Sequence, residues 1–220
     1  MDVLASDSVA TTIESGVRMR SEPGVSGSSE LYVPTLPMGA ELFVLGGPVR
    51  ESDYDWYEVQ PLRAGLPPRG WVARASKTGQ PWIVQATATC PIAPTTVDEL
   101  AHLTEGMRLA CFSQVAIVLS ARLLPCECEL DPAYDWMPAW LGDNSLALAD
   151  PARAAPTEPW VFVHLDPTGT YPSPVPTGVV VEVTGMFDHP AARGCTATLA
   201  SEGEGLRDIC RTIFAVTSIR

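Results

Sequence analysis

The sequence predicts a mainly β protein built from two small barrel-like modules with one short helix. Three observations point there. Short runs of strand-forming residues recur with turn signals every ten residues or so. The first third of the chain has no helical period. The 21 prolines and 17 glycines among 220 residues fit a loop-rich β architecture better than a helical one.

The elements follow in order. Residues 1–15 contain Asp2, Asp7 and Glu14 and no apolar run, so they are expected to form a flexible lead-in. They resemble neither a signal peptide nor an anchor, and export would require a targeting segment missing from this chain, as in a trimmed precursor. Val17, Met19 and Ser21 alternate with Arg18, Arg20 and Glu22, the period of a half-buried strand. Pro23-Gly24 then turns the chain. Leu31, Val33 and Leu36 lead to a second turn at Pro37-Met38-Gly39. Glu41–Leu45 reads as a strand that stops at Gly46-Gly47-Pro48, Trp56–Gln60 alternates again, and Gly70–Ala73 closes the run. Lys77–Pro81 is linker-like and Trp82-Ile83-Val84 is a final strand, placing a module boundary at 84/85.

Within residues 85–220, Thr95 or Thr96 can cap a helix through Leu103, with Asp98 and Glu99 in its first turn and Gly106 beyond its end. Leu109–Leu124 reads as one long, curved strand, and residues 130–144 as a loop bearing Trp136 and Trp140. Strands are expected at Trp160–Leu165, Gly178–Phe187 and Ile209–Ile219.

The order of motifs in residues 16–84 resembles the bacterial SH3-like domain. That family has an N-V-R-x-x-P-G-like opening, a K-G-like turn before a hydrophobic strand, then G-W-Y-x-V and a final G-W-V. The counterparts are Val17-Arg18-Met19-Arg20 with Pro23-Gly24, Met38-Gly39 before Leu42–Leu45, Asp55-Trp56-Tyr57-Glu58-Val59, and Gly70-Trp71-Val72. Asp55 replaces a common glycine, and the loop 61–69 is longer and richer in proline than usual. The resemblance implies an extracytoplasmic module docking on peptidoglycan or peptides. Residues 177–192, with the later cysteines and the Cys210-Arg211 to Thr217 stretch, resemble an uncharacterised module of secreted bacterial proteins and, more broadly, an OB-fold. This resemblance brings no activity with it.

The net charge is −12. Residues 1–84 carry 7 basic and 10 acidic side chains, and residues 85–220 carry 7 and 16. A phosphate backbone would be repelled, so nucleic acid is not an expected partner. No segment approaches 18 consecutive apolar residues, so no membrane span is expected.

Six cysteines (Cys90, Cys111, Cys126, Cys128, Cys195 and Cys210) fall in residues 85–220. Their even number favours disulfides, and hence a compartment outside the cytoplasm. Cys195 and Cys210 flank a Gly/Ser/Glu loop that a bridge would clip. Cys126 and Cys128 share a strand face, so they are expected to reach Cys90 and Cys111, in either order. The alternatives are buried free thiols, or a zinc half-site at Cys126-x-Cys128 that lacks paired C-x₂-C knuckles.

Asp188-His189 with Cys195 nearby could suit thiol chemistry. The structural reading, a turn in which Asp188 accepts backbone N–H groups, is preferred. His102 and His164 read as surface or packing residues. Glu127, Glu129, Asp131, Asp135, Asp143 and Asn144 read as a solvated acidic face rather than a calcium loop. No nucleophile-elbow, zinc-protease, dinucleotide or P-loop motif occurs. Trp56, Trp71 and Trp140 could fill small cores. Rings near loops could instead stack on ligands, which makes Tyr54, Trp56, Tyr57 and Trp136 the candidate binding residues. The expectation is a non-enzymatic, extracytoplasmic binding protein without cofactor or metal. Its partner would be peptidoglycan or a cell-surface protein. The alternative is a structural or protein–protein module of a bacterial surface assembly.

Overall fold

The computed structural model describes residues 3–125, 145–151, 160–194 and 210–220. The chain divides into two compact units, Met1–Pro91 with Thr104–Cys111, and Ile92–Leu103 with Phe112–Arg220. Its strands are β1 (Ser8–Thr12), β2 (Met19–Arg20), β3 (Glu41–Glu51), β4 (Tyr54–Pro61), β5 (Gly70–Ala73), β6 (Ile83–Ala86), β7 (Ile117–Pro125), β8 (Ser145–Ala149), β9 (Trp160–Thr170), β10 (Val180–Met186) and β11 (Phe214–Ile219). The helices are α1 (Val97–Ala101), α2 (Glu105–Phe112) and a 3₁₀ turn at Pro190–Gly194. The protein is therefore mainly β, with one antiparallel sheet and one closed barrel.

In the first unit the strands pair in the order β2-β5-β4-β3-β1-β6, all antiparallel. One face buries Leu4, Ala10, Met19, Leu36, Leu42, Val44, Tyr57, Val59, Val72 and Ile83. Val9 and Phe43 point the other way and are buried with Leu62 and with Leu109 of α2. Two covered faces explain why Leu42-Phe43-Val44 is continuously apolar instead of alternating.

Three expectations change here. The lead-in contains β1, which lies inside the sheet between β3 and β6. Val9, Ala10 and Thr12 are buried there, too few apolar residues to stand out in a polar segment. Gly46-Gly47-Pro48 does not end its strand. The β3–β4 register shifts between Val44 and Gly46 and again between Gly46 and Val49, so the glycines form a bulge and β3 runs on to Glu51. A Cβ on Gly47 would lie 2.7 Å from the Trp56 carbonyl oxygen, at φ +118°. The turn itself falls at Ser52-Asp53, both with positive φ (53° and 68°), as a two-residue hairpin requires. The linker-like stretch at Lys77–Pro81 is a closed turn, in which Ser76 N–H donates to the Gln80 carbonyl and Gly79 N–H to that of Ser76.

The cysteine pairing also changes. Cys90 is bonded to Cys111, 21 residues on, and both belong to the first unit. The expected Cys126 and Cys128 partners are thereby replaced. Cys111 lies near the end of a helix that packs beside β1 and β3, which brings it to the chain just past β6. Cys126, Cys128 and Cys195 lie outside the described residues, and Cys210 is disulfide-bonded.

In the second unit the barrel closes in the order β7-β8-β9-β11-β10, with β10 returning to β7. Among the described barrel strands, β9 and β11 pair in parallel and the other neighbours antiparallel. Ile117, Leu119, Ala121 and Leu123 alternate inward along β7, as Val181 and Val183 do along β10. Helix α1 packs on β9, with Val97 and Leu100 buried. Thr96 caps α1, and Glu99 reciprocates in a capping box.

The single strand expected over Leu109–Leu124 is a helix followed by a strand. Met107, Leu109 and Ala110 pack on Val9 and Phe43, which selects the helix, and Gln114 at φ 56° turns the chain before β7. Gly106 stands within α2, while His102 caps α1.

Candidate functional site

The first unit carries a groove of about 290 Å³, lined by residues 14–18 together with Arg20, Val25, Tyr54, Trp56, Ala73 and Trp82. Strand parity builds it. Tyr57 turns into the core with its hydroxyl toward the Leu4 N–H at 3.4 Å, which sends Trp56 to the opposite face. Trp82 sits in the bend just before β6, partly buried against the core that holds Ile83, and its ring reaches Tyr54. Trp56 is only 3% exposed, and its indole N–H donates to the Glu51 carbonyl at 2.9 Å, leaving it a floor with no free donor.

Half-buried Tyr54 and Trp82 form the wall. Their rings stack at 5.9 Å between centroids with planes 26° apart, and Tyr54 meets Trp56 edge-on at 5.9 Å. The Lys77 ammonium lies 5.4 Å from the centre of the Tyr54 ring and 2.9 Å from Asp53 Oδ2. Its hydrogen bond holds the Asp53 carboxyl below the usual range, and Asp53 in turn raises Lys77. That pair fixes the rim of the wall at the β3–β4 turn.

The charged lining comprises Arg18, Arg20 and Glu14. Glu14 accepts a hydrogen bond from the Gln80 carboxamide. Arg20 Nη1 donates to the Ser29 carbonyl at 2.6 Å, and its buried Nε has no partner among the described residues. Arg18 is exposed. Rings beside guanidinium groups can stack on and pair with a small ligand.

Of the four candidate binding residues, Tyr54 and Trp56 line the groove. Tyr57 belongs to the core, and Trp136 lies outside the described residues. Trp71 is half-buried on β5, and Trp140 and the acidic loop also lie outside the described residues. Trp82, Arg18 and Arg20 were not singled out by sequence.

The Asp188-His189 pair occupies the second unit. Asp188, fully buried at φ 49°, accepts from Arg211 Nε at 2.8 Å and Nη2 at 3.3 Å, and from the Ser113 hydroxyl at 2.6 Å. His189 engages a different carboxylate: its Nε2 lies 3.4 Å from Asp166 Oδ2, while Nδ1 accepts the Ala191 N–H at 3.3 Å. Asp166 also holds Thr168 through its hydroxyl and N–H. Tyr171 donates to the Asp166 and Val216 carbonyls; burial and then the Asp166 charge push its hydroxyl up to about 12. The geometry ties loops and strands together. Asp188 thus serves a turn, with a guanidinium and a hydroxyl among its partners.

His102 Nδ1 sits 2.7 Å from the Asp98 carbonyl at the end of α1. His164 is buried on β9, where desolvation lowers it to about 4, so it is neutral at neutral pH. No helix among the described residues is long and apolar enough to cross a membrane. No family model, curated protein or solved structure matches this chain.

Proposed function

We propose that this is an extracytoplasmic, non-enzymatic binding protein whose SH3-like first unit docks on cell-wall glycan or peptide. The observation that carries the reading is the groove, where two half-buried rings and a buried indole floor stand beside two arginines in a net-acidic chain. Exposed aromatic surface is costly to keep in water unless a ligand covers it. The Cys90–Cys111 bond is compatible with an oxidising compartment. The segments that carry the SH3-like resemblance pair as neighbouring strands β2, β5, β4 and β3, which supports that reading. A closed five-stranded barrel with one parallel pair likewise supports an OB-like reading of the second unit.

Retention on purified peptidoglycan sacculi tests the proposal. The full chain is expected to be retained, and Trp82→Ala with Tyr54→Ala to abolish retention while leaving the far-UV spectrum unchanged. Unbound full-length protein would sink the wall-binding part. A second reading, a structural module of a surface assembly, is favoured by Val118 and Val180, each about half exposed on adjacent strands β7 and β10. It calls for self-association or partner capture without retention on sacculi.

A further inference from the structure

We infer that the groove takes the C-terminal end of a short peptide, with the chain-end carboxylate against Arg18 and Arg20 and the last side chain on Tyr54 and Trp82. This rests on reading the groove as a binding site, and it names the ligand chemistry. Charge is the first argument. Residues 1–84 carry an excess of acid, yet the groove lining holds two guanidinium groups against one carboxylate, and Glu14 is already engaged by Gln80. Neither arginine has a carboxylate partner among the described residues.

The state of Arg20 is the second argument. A guanidinium half-withdrawn from water whose partner among the described residues is a neutral carbonyl is poorly compensated. An incoming carboxylate supplies the missing charge, with the planar fork that guanidinium groups match best. A neutral sugar would stack on the rings but leave this deficit in place.

Size is the third argument. At about 290 Å³ the groove is at the small end of the roughly 300–1,000 Å³ that ligand pockets span. That suits one or two residues at a chain end. A carboxylate there lies next to the last Cα, so it can reach the arginines while its own side chain lies on the rings. An acidic side chain in mid-chain would need the peptide both to enter and to leave the same small space.

The test uses ¹⁵N-labelled full-length protein and reads the indole N–H signals of Trp56 and Trp82. Three pools of N-acetyl tripeptides are titrated: neutral side chains with a free C-terminus, the same pool amidated, and an amidated pool containing Asp and Glu. Chitotriose is the neutral glycan control. The free-acid pool is expected to shift both signals at a concentration at least tenfold below either amidated pool, and Arg18→Gln to remove that preference. Equal responses to acid and amide, a preference for the Asp/Glu pool, or a response to chitotriose alone would overturn the chain-end assignment and leave the groove reading standing. Silence toward every probe, with sacculus retention still abolished by the Trp82 and Tyr54 substitutions, also overturns it. Silence together with retention that ignores those substitutions removes the groove reading itself.

Discussion

Arg211 and Asp188 form a two-point ion pair inside the second unit, with Nε to Oδ1 at 2.8 Å, Nη2 to Oδ2 at 3.3 Å, and both side chains almost wholly buried. The Asp188 N–H also donates to the Arg211 carbonyl at 2.7 Å, so backbone and side chain join the same two residues. Removing one partner of such a buried ion pair typically costs about 3–5 kcal/mol. Arg211→Met is therefore expected to lower unfolding stability by that amount in urea. Asp188→Leu combined with Arg211→Met should cost less than either single change. If Asp188→Asn instead left stability untouched, the pair would not be holding this turn.

Gly106 within α2 gives a prediction whose sign runs against helix propensity. Alanine in place of glycine inside a helix ordinarily gains up to about 1 kcal/mol. Here the added Cβ would stand 2.8 Å from the carbonyl oxygens of Gln60 and Pro61, which are backbone atoms and cannot rotate aside. Glu105 accepts from the Gln60 carboxamide at 2.6 Å, and the Thr104 hydroxyl donates to the Leu62 carbonyl at 2.9 Å, so the start of the helix is held close just before the glycine. Gly106→Ala is expected to destabilise by about 1–3 kcal/mol, the usual cost of overpacking. A lower urea midpoint at unchanged slope would show it, and a higher midpoint would mean that α2 can move off β4.

The sequence was legible where one physical rule decided the outcome. Alternation found β4, and a run of strand-forming residues found β10. Thr95 or Thr96 ahead of Asp98 and Glu99 marked the start of α1, and Thr96 is the cap. Where two rules competed, the weaker local signal lost. Gly46-Gly47-Pro48 is punctuation by composition, but strand pairing with β4 absorbed it as a bulge. The residues from Leu109 onward favour strands, but packing against Val9 and Phe43 made the first of them helical. In the groove, Tyr54 and Trp56 were readable as rings near a turn. Arg18 and Arg20 passed for the polar side of a strand, since nothing local reveals that this side faces an aromatic wall.

The Cys90–Cys111 bond closes a 21-residue separation, for which the loop-entropy relation gives about 3 kcal/mol of stabilisation. Cys90→Ser with Cys111→Ser is expected to lose that amount, and to speed amide exchange at Met107–Ala110, which the bond keeps packed on β1 and β3. A peptide map of unreduced protein should recover one fragment containing both cysteines. Recovery of Cys90 joined to Cys126 or Cys128 would refute the pairing.

His164 supplies a pH dependence. It is 2% exposed on β9, between Ala215 of β11 and Ser145 of β8, and desolvation takes it from 6.5 to about 4. The unfolded chain takes up this proton near pH 6.5 and the folded chain only near 4. Between those values the unfolded state holds more protons, so stability rises with pH there. The contribution is complete above about pH 6.5 and lost as pH falls toward 4, to a limit of about 3 kcal/mol at 1.36 kcal/mol per unit. Acidic side chains titrate over part of the same range, so the informative quantity is the difference between the native chain and His164→Gln at each pH. That difference is expected to be constant above pH 7 and to shift in the variant's favour by up to about 3 kcal/mol as pH falls to 4. A difference independent of pH would mean that His164 is protonated as readily in the folded barrel as in the unfolded chain.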